Sequence, residues 1–256
     1  MFEINKKIKI ITASPFFSFV IKDFLSQDLY KKIQTDIKEV EQDLEFFRIS
    51  NVKKFNITSE MNEYHDFINK KASFKELHQI VFKKDFAKEF LNYFLLNCIK
   101  SNLDRPFSIL KLIKPKYFSQ QKNITIKDIF LTKIKTNIQY SFMGNGGLIK
   151  PHVDSNRKLM SLMLYFPEYT NSDVLFEKEK EIGTSFWNSN FKNKENLHLE
   201  TNEIMKKFKM KKIFSNTFDQ NNLYGFIKNN YSWHSVEKIN IDEKYFRKSI
   251  NINFLY

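Results

Sequence analysis

A chain of 256 residues with 42% hydrophobic residues, 28 Phe and 11 Tyr can bury a large core, and only five Gly and five Pro argue against collagen-like, low-complexity or disordered classes. The formal charge of +13 suggests nucleic acid or an anionic surface. Yet among the 42 cations only Arg48, Arg105, Arg157 and Arg247 carry the planar fork that phosphate and base recognition favours, so the Lys excess reads as a Lys- and Asn-rich coding bias and does not point to a nucleic-acid partner.

In chain order, the basic start MFEINKKIKIITASPFF has no apolar block long enough for a signal peptide. Phe16–Leu25 reads as a short strand running into a turn. Ser26 then offers an oxygen to cap a helix whose buried stripe is Leu29, Ile33, Ile37, Val40 and Leu44. A second helical block follows, with Phe74, Leu77 and Val81 on one stripe and Phe86, Phe90, Phe94 and Cys98 on another. These aromatics at helical spacing are core. Cys98 stands alone, so no internal disulfide forms and a reducing, cytoplasmic compartment is the expected home. No window approaches the roughly 18 apolar residues of a membrane span.

After Pro106 and Pro115 the period changes from helical to alternating. Ile134, Ile138, Tyr140 and Phe142 open a run of strands that continues through Leu159–Phe166, Thr184–Trp187, Lys212–Phe214, Tyr224–Ile227 and Phe246–Tyr256. In the last of these, FRKSININFLY, Ile250, Ile252 and Phe254 take one face while Arg247, Ser249, Asn251 and Asn253 take the other. Helices first and many short strands afterwards predict an α+β chain whose second half is a sandwich or barrel. Asn188–Met210 is polar and partly helical in pattern, an insertion or lid whose KKFKMKK stretch (Lys206–Lys212) reads as a solvated face. The chain is expected to form one domain, residues 1–256, with a strand and helical support in 1–115 and the β core in 130–256, interrupted by the insertion 188–210.

Chemistry concentrates around Gly147–Pro167, GLIKPHVDSNRKLMSLMLYFP. Residues two apart on a strand point the same way, so His152 and Asp154 present an imidazole and a carboxylate side by side if the strand persists to Asp154. The other reading of the pair is a polar turn that contains a histidine. His234, in NNYSWHSV, is the best third ligand for an iron that needs open coordination positions. His65 and His78 lie in the helical blocks and His198 in the insertion, where each reads as an ordinary surface or core residue. On the last strand Arg247 and Ser249 share a face, a guanidinium beside a hydroxyl, which suits a carboxylate. Gly144, Gly146 and Gly147 read as a tight hairpin turn or a close approach to substrate, with the turn favoured. Phe186, Trp187 and Trp233 could line an apolar pocket, though each reads more simply as packing.

The ordered set His152-x-Asp154, His234, Arg247-x-Ser249 resembles the 2-oxoglutarate- and Fe(II)-dependent dioxygenases, nearest to their prolyl-hydroxylase-like branch. SPFFSFVIKDFLSQDLYKKI is similar to that branch's opening strand and helix, IQYSFMGNGGLIKPHVD to its approach to the first two ligands, and RKLMSLMLYFP to the strand after them. The resemblance implies a double-stranded β-helix (a jelly-roll, cupin-like core) with N-terminal supporting helices. It implies that His152, Asp154 and His234 ligate Fe(II), that Arg247 binds the distal carboxylate of 2-oxoglutarate with Ser249 assisting, and that Tyr140 lines the co-substrate pocket. With O₂, such a protein hydroxylates a C–H bond of a small molecule or protein side chain and releases succinate and CO₂. Arg247 stands where many relatives in that branch have Lys, and IGTSFW departs from their Gly-Gly-containing acidic stretch. The presence of Asp154 disfavours halogenation. Oxidative demethylation of alkylated nucleic acid, a non-catalytic jelly-roll binding protein and a zinc hydrolase are the rival readings, the last leaving Arg247 and Ser249 without a role.

Overall fold

The computed structural model describes residues 8–41, 48–50, 53–103, 116–118, 133–169, 174–192, 199 and 202–256. Leu44, His198 and the stretch from Pro106 to Pro115 lie outside them, as does part of the insertion.

The strands are β1 (Ile8–Thr12), β2 (Ser18–Ile21), β3 (Arg48–Ser50), β4 (Lys54–Thr58), β5 (Lys116–Phe118), β6 (Lys133–Gly144), β7 (Ile149–His152), β8 (Lys158–Tyr165), β9 (Thr184–Asn188), β10 (Lys211–Ser215), β11 (Leu223–Ile227), β12 (Trp233–Val236) and β13 (Phe246–Leu255). The helices are α1 (Gln27–Val40), α2 (Tyr64–Asn69), α3 (Ala72–Val81), α4 (Lys84–Tyr93), α5 (Leu95–Ser101), α6 (Val174–Lys180) and α7 (Asn202–Lys207). Among the described residues the strands form a larger sheet in the order β1-β2-β11-β8-β13-β6-β4-β3, with β5 added parallel to β6, and a four-stranded sheet in the order β10-β9-β12-β7. All other pairings are antiparallel.

The helical layer forms where the periodicity predicts it. Ser26 Oγ accepts from the Leu29 amide at 3.3 Å and caps α1, Asp28 sits in its first turn and Lys38 in its last. Leu29, Tyr30, Ile33, Ile37 and Val40 bury one face of α1, and Phe74, Leu77, Val81, Phe86, Phe90, Phe94 and Cys98 bury the faces of α3 to α5. They meet one face of the larger sheet, from which Ile138, Tyr140, Phe142, Leu162, Leu164, Ile250, Ile252 and Phe254 project into the same core. Each such aromatic or aliphatic side chain contributes roughly 1.5–3 kcal/mol by leaving water. Tyr30 also ties α1 to the sheet, its ring stacked on Phe166 at 5.1 Å and its hydroxyl donating to the Tyr165 carbonyl at 2.8 Å.

The other face of the larger sheet looks toward the smaller one. At one end the gap is filled by a second core that includes Phe16, Met163, Tyr165, Phe186, Phe218, Phe226 and Tyr245. The rest is left as a cavity. Gly146, at φ +81°, turns the chain from β6 in the larger sheet to β7 in the smaller one, and its amide donates to the Ile239 carbonyl at 2.8 Å; the glycine cluster makes a tight turn, but one that crosses between sheets and not the hairpin expected. The described part of the insertion packs on the outside of the smaller sheet: Phe191 stacks on Phe208 at 4.0 Å, and both join Trp187, Met205 and Met210 around Val153, Leu199 and Trp233. No helix of the described residues is long and apolar enough to cross a membrane.

Candidate metal centre

Pairing of β7 with β12 sets His152 directly opposite His234, and β9 places Phe186 on the other side of His234. Trp233, next to His234, and Val153, between His152 and Asp154, are fully buried together on the far side of the smaller sheet, and the Trp233 indole donates to the Phe191 carbonyl at 3.1 Å. These anchors turn the alternate positions, His152, Asp154 and His234, into the cavity. β7 ends at His152, so Asp154 is not a strand residue as expected; the buried Val153 carries the alternation one step past the last ladder pair.

One nitrogen or oxygen from each of His152, Asp154 and His234 lies within 4.8 Å of the others. The rings of His152 and His234 are 4.3 Å apart at their centroids. Each imidazole uses Nδ1 in the same way, 2.9 Å from the carbonyl two residues earlier, that of Lys150 for His152 and of Ser232 for His234. A carbonyl can only accept, so Nδ1 carries a proton, and Nε2 is the nitrogen turned toward Asp154 and available to a metal. Asp154 Oδ2 lies 3.8 Å from His234 Nε2 and 3.1 Å from Ser161 Oγ, while Oδ1 accepts from Lys158 Nζ at 2.7 Å. Burial alone would raise the Asp154 carboxyl, but Lys158 and the two imidazoles outweigh it and hold it well below the usual carboxylate range. Two imidazoles anchored through Nδ1 and an ionised carboxylate are a donor set that could hold a divalent metal ion. The polar-turn reading of His152 does not account for this convergence.

The same cavity, about 110 Å³ and partly open to solvent, is lined by Arg247 and Ser249 from β13 as well as by the three candidate ligands. Arg247 is only 4% exposed. Its Nε donates to the Ile182 carbonyl at 2.7 Å, Nη1 lies 3.4 Å from Ser249 Oγ, and the guanidinium sits over the rings of Tyr165 and Phe218 at 5.1 and 5.2 Å. Burial lowers its affinity for the proton, and no carboxylate among the described residues pairs with it. Its neighbour Lys248, on the opposite face of β13, shows the contrast: it is equally buried but bonds Glu41 at 2.6 Å and also Glu168. One buried cation is neutralised by carboxylates, and the other has none beside it among the described residues.

Tyr140 is corrected. It is fully buried on the helix-facing side of β6, its ring 5.0 Å from those of Phe67 and Phe74, and its hydroxyl has no partner among the described residues. The residues that β6 gives to the cavity are its neighbours of opposite parity, Gln139, Ser141 and Met143. Phe186 and Trp233 are packing residues, and the Trp187 indole donates to Ser235 Oγ at 2.8 Å. His65 and His78 lie on α2 and α3, where His78 Nδ1 is 3.1 Å from the Tyr64 hydroxyl. Sequence reasoning missed Lys54, Lys158, Ser161 and Gln139, all of which line the cavity. For Lys54 no signal was available, since Lys is this chain's default cation.

No protein-family model matches the chain, and no curated protein matches it in sequence. Among solved structures it is similar to a prolyl-4-hydroxylase from Pseudomonas putida, with 10% identity over 95% of this chain and 95% of that chain and a TM-score of 0.43. It is similar also to a prolyl hydroxylase from Trichoplax adhaerens in complex with a hypoxia inducible factor oxygen degradation domain peptide fragment, with 12% identity, 93% and 83% coverage and a TM-score of 0.45. A third similar structure is the non-heme alpha ketoglutarate dependent carbocyclase SnoK from nogalamycin biosynthesis, with 8% identity, 93% and 79% coverage and a TM-score of 0.49.

Proposed function

We propose that this chain is an Fe(II)- and 2-oxoglutarate-dependent dioxygenase, a single domain across residues 1–256 with a double-stranded β-helix core, which hydroxylates a C–H bond of a small molecule or a protein side chain. The observation that carries the reading is Arg247. A buried guanidinium without a counter-ion is costly, several kcal/mol after relaxation, and is retained where a ligand supplies the charge. Its Nε is spent on Ile182, which fixes the plane, and the Nη side beside Ser249 Oγ faces the cavity that holds the triad. A planar carboxylate satisfies that arrangement with two parallel hydrogen bonds and a third from the serine.

In this reading His152 and His234 ligate iron through Nε2 and Asp154 through a carboxylate oxygen. Lys150 and Ser232 carbonyls hold the imidazoles in the ligating tautomer, and Lys158 and Ser161 keep the carboxylate ionised and oriented. The distal carboxylate of 2-oxoglutarate pairs with Arg247 and Ser249, which orients its keto acid end toward the triad. When bound, the iron supplies the O₂ chemistry that converts 2-oxoglutarate to succinate and CO₂ and places one oxygen atom on the substrate carbon. Phe226, Val236 and Ile149 line the walls beside the triad and limit water there. A zinc hydrolase would use the same three ligands but leave Arg247 uncompensated. A cytoplasmic location suits the single buried thiol, Cys98.

The test is anaerobic addition of Fe(II) and 2-oxoglutarate, read as a weak visible charge-transfer band, followed by O₂ and measurement of succinate. The band is expected in the wild-type protein and absent in His152→Ala. No band in the wild type, or an unchanged band in the variant, overturns the assignment.

A further inference from the structure

The floor of the cavity is the polar face of three adjacent strands. The registers Lys54↔Met143↔Arg247, Asn56↔Ser141↔Ser249 and Thr58↔Gln139↔Asn251 set these side chains in rows across β4, β6 and β13. The alternate residues Phe55 and Ile57 of β4 pack into the helix-facing core, so Lys54 is turned to the cavity that it lines. Lys54 and Arg247 therefore stand in one row, two strands and about 10 Å apart at the backbone. Met143 stands between them, and beside that row the surface is Ser141, Gln139, Ser249 and Asn251.

The charges facing this space do not balance. Among the described residues that line it, Lys54, Lys158 and Arg247 are cations and Asp154 is the one carboxylate. Lys158 is engaged by Asp154 at 2.7 Å. Arg247, on the reading above, takes the co-substrate. A divalent ion and a 2-oxoglutarate dianion cancel one another, so the surplus of two positive charges carried by the side chains persists in the loaded protein. Lys54 is the cation left over: half-buried, with no hydrogen-bond or ion-pair partner among the described residues. Burial, with Lys158 and Arg247 as repelling neighbours and Asp154 as the one attracting group, pushes its amine down to about 8.

We propose that Lys54 receives an acidic oxyanion group of the substrate, a carboxylate or phosphate, so that the chain acts on a small polar acid whose body lies over the Ser141–Gln139–Asn251 floor. This rests on Arg247 being the 2-oxoglutarate residue. Lysine is the suitable cation here because a compact ammonium accepts either anion geometry, whereas the bidentate site is already built at Arg247. Gln139 already donates to Asn56 Oδ1 at 2.9 Å, but the Ser141 hydroxyl and the Asn251 amide favour a substrate carrying hydroxyl or amino groups over an alkyl chain, which offers them no hydrogen bond.

The test titrates the Mn(II)-loaded full-length protein, saturated with 2-oxoglutarate, with 2-hydroxy acids of two to six carbons and with glycerol phosphate, each against its neutral amide or unphosphorylated alcohol. At least one acid is expected to bind ten times more tightly than its neutral partner, the carboxylate and phosphate arms identifying the anion. In Lys54→Met that preference falls below threefold, and Lys54→Arg restores it. 2-Oxoglutarate affinity stays within threefold in both variants, which also reports that they fold. No acid preference in the wild type, a preference surviving in Lys54→Met, or loss of 2-oxoglutarate binding with Lys54 removed would each overturn the inference. Absence of 2-oxoglutarate binding in the wild type itself, with an acid preference still lost in Lys54→Met, refutes the Arg247 reading and leaves Lys54 as the anion site.

Discussion

Replacing Arg247 with Met keeps the aliphatic stem and removes the guanidinium. In the wild type Nε is occupied by the Ile182 carbonyl, so the bonds available to a ligand come from the Nη edge and from Ser249. Two charge-assisted hydrogen bonds at roughly 1.5–3 kcal/mol each set the ceiling, and after desolvation of the carboxylate about 3–4 kcal/mol remains. That corresponds to a loss of 2-oxoglutarate affinity of about 10²–10³-fold. Calorimetric titration of 2-oxoglutarate into the Mn(II)-loaded protein measures it. Melting gives a second readout: at a concentration of about 100 times the wild-type Kd the ligand stabilises by about 2.7 kcal/mol. For a chain of this length that is a rise in Tm of about 5–10 °C. The variant at the same concentration should show almost none of it. An affinity within threefold of wild type would refute the reasoning, because it would mean that the uncompensated cation is not where the co-substrate binds.

Two other outcomes follow from the packing and the charges. A Cβ on Gly183 would stand 1.7 Å from the Asn216 carbonyl oxygen, and backbone cannot give way cheaply, so Gly183→Ala should lower stability by at least about 2 kcal/mol in a denaturant titration and, through Ile182, weaken 2-oxoglutarate binding as well. The Lys54 amine is held at about 8, below its unfolded value of about 10.4, so its charged form is disfavoured by the fold. That penalty is fully present below pH 8 and is relieved as pH rises toward the unfolded value; metal-free Lys54→Met should therefore melt higher than wild type at pH 7, with the gap closing by about pH 10.5. A variant that melts lower at pH 7 would contradict this.

Much of the helical layer was legible because its signal is local. The stripe from Leu29 to Val40 and the Phe series on α3 to α5 declare buried faces by spacing alone, and Ser26 marks the start of α1 by its cap. The strand β4 was not legible: KFNIT offers only two apolar alternations, Phe55 and Ile57, and its place in the sheet depends on pairing with β6 some eighty residues later. The candidate ligands were readable as residue types at strand-like positions, but their convergence depends on β7 pairing with β12, a register that no local pattern specifies. Tyr140 was placed wrongly although the parity was visible. It alternates with Ile138 and Phe142, and a residue in phase with two core positions on one strand shares their face. Lys54 became visible only through charge accounting in the folded cavity.

Among the described residues the four-stranded sheet ends at β7, a strand of four residues with β12 as its one neighbour in that sheet. An ion held by His152 at its tip, Asp154 just beyond and His234 on the inner strand would rivet the hem of the sheet to its body. Cation retention and closure of that border would then be a single equilibrium, and removing such an ion should fray the sheet first at the candidate ligands themselves.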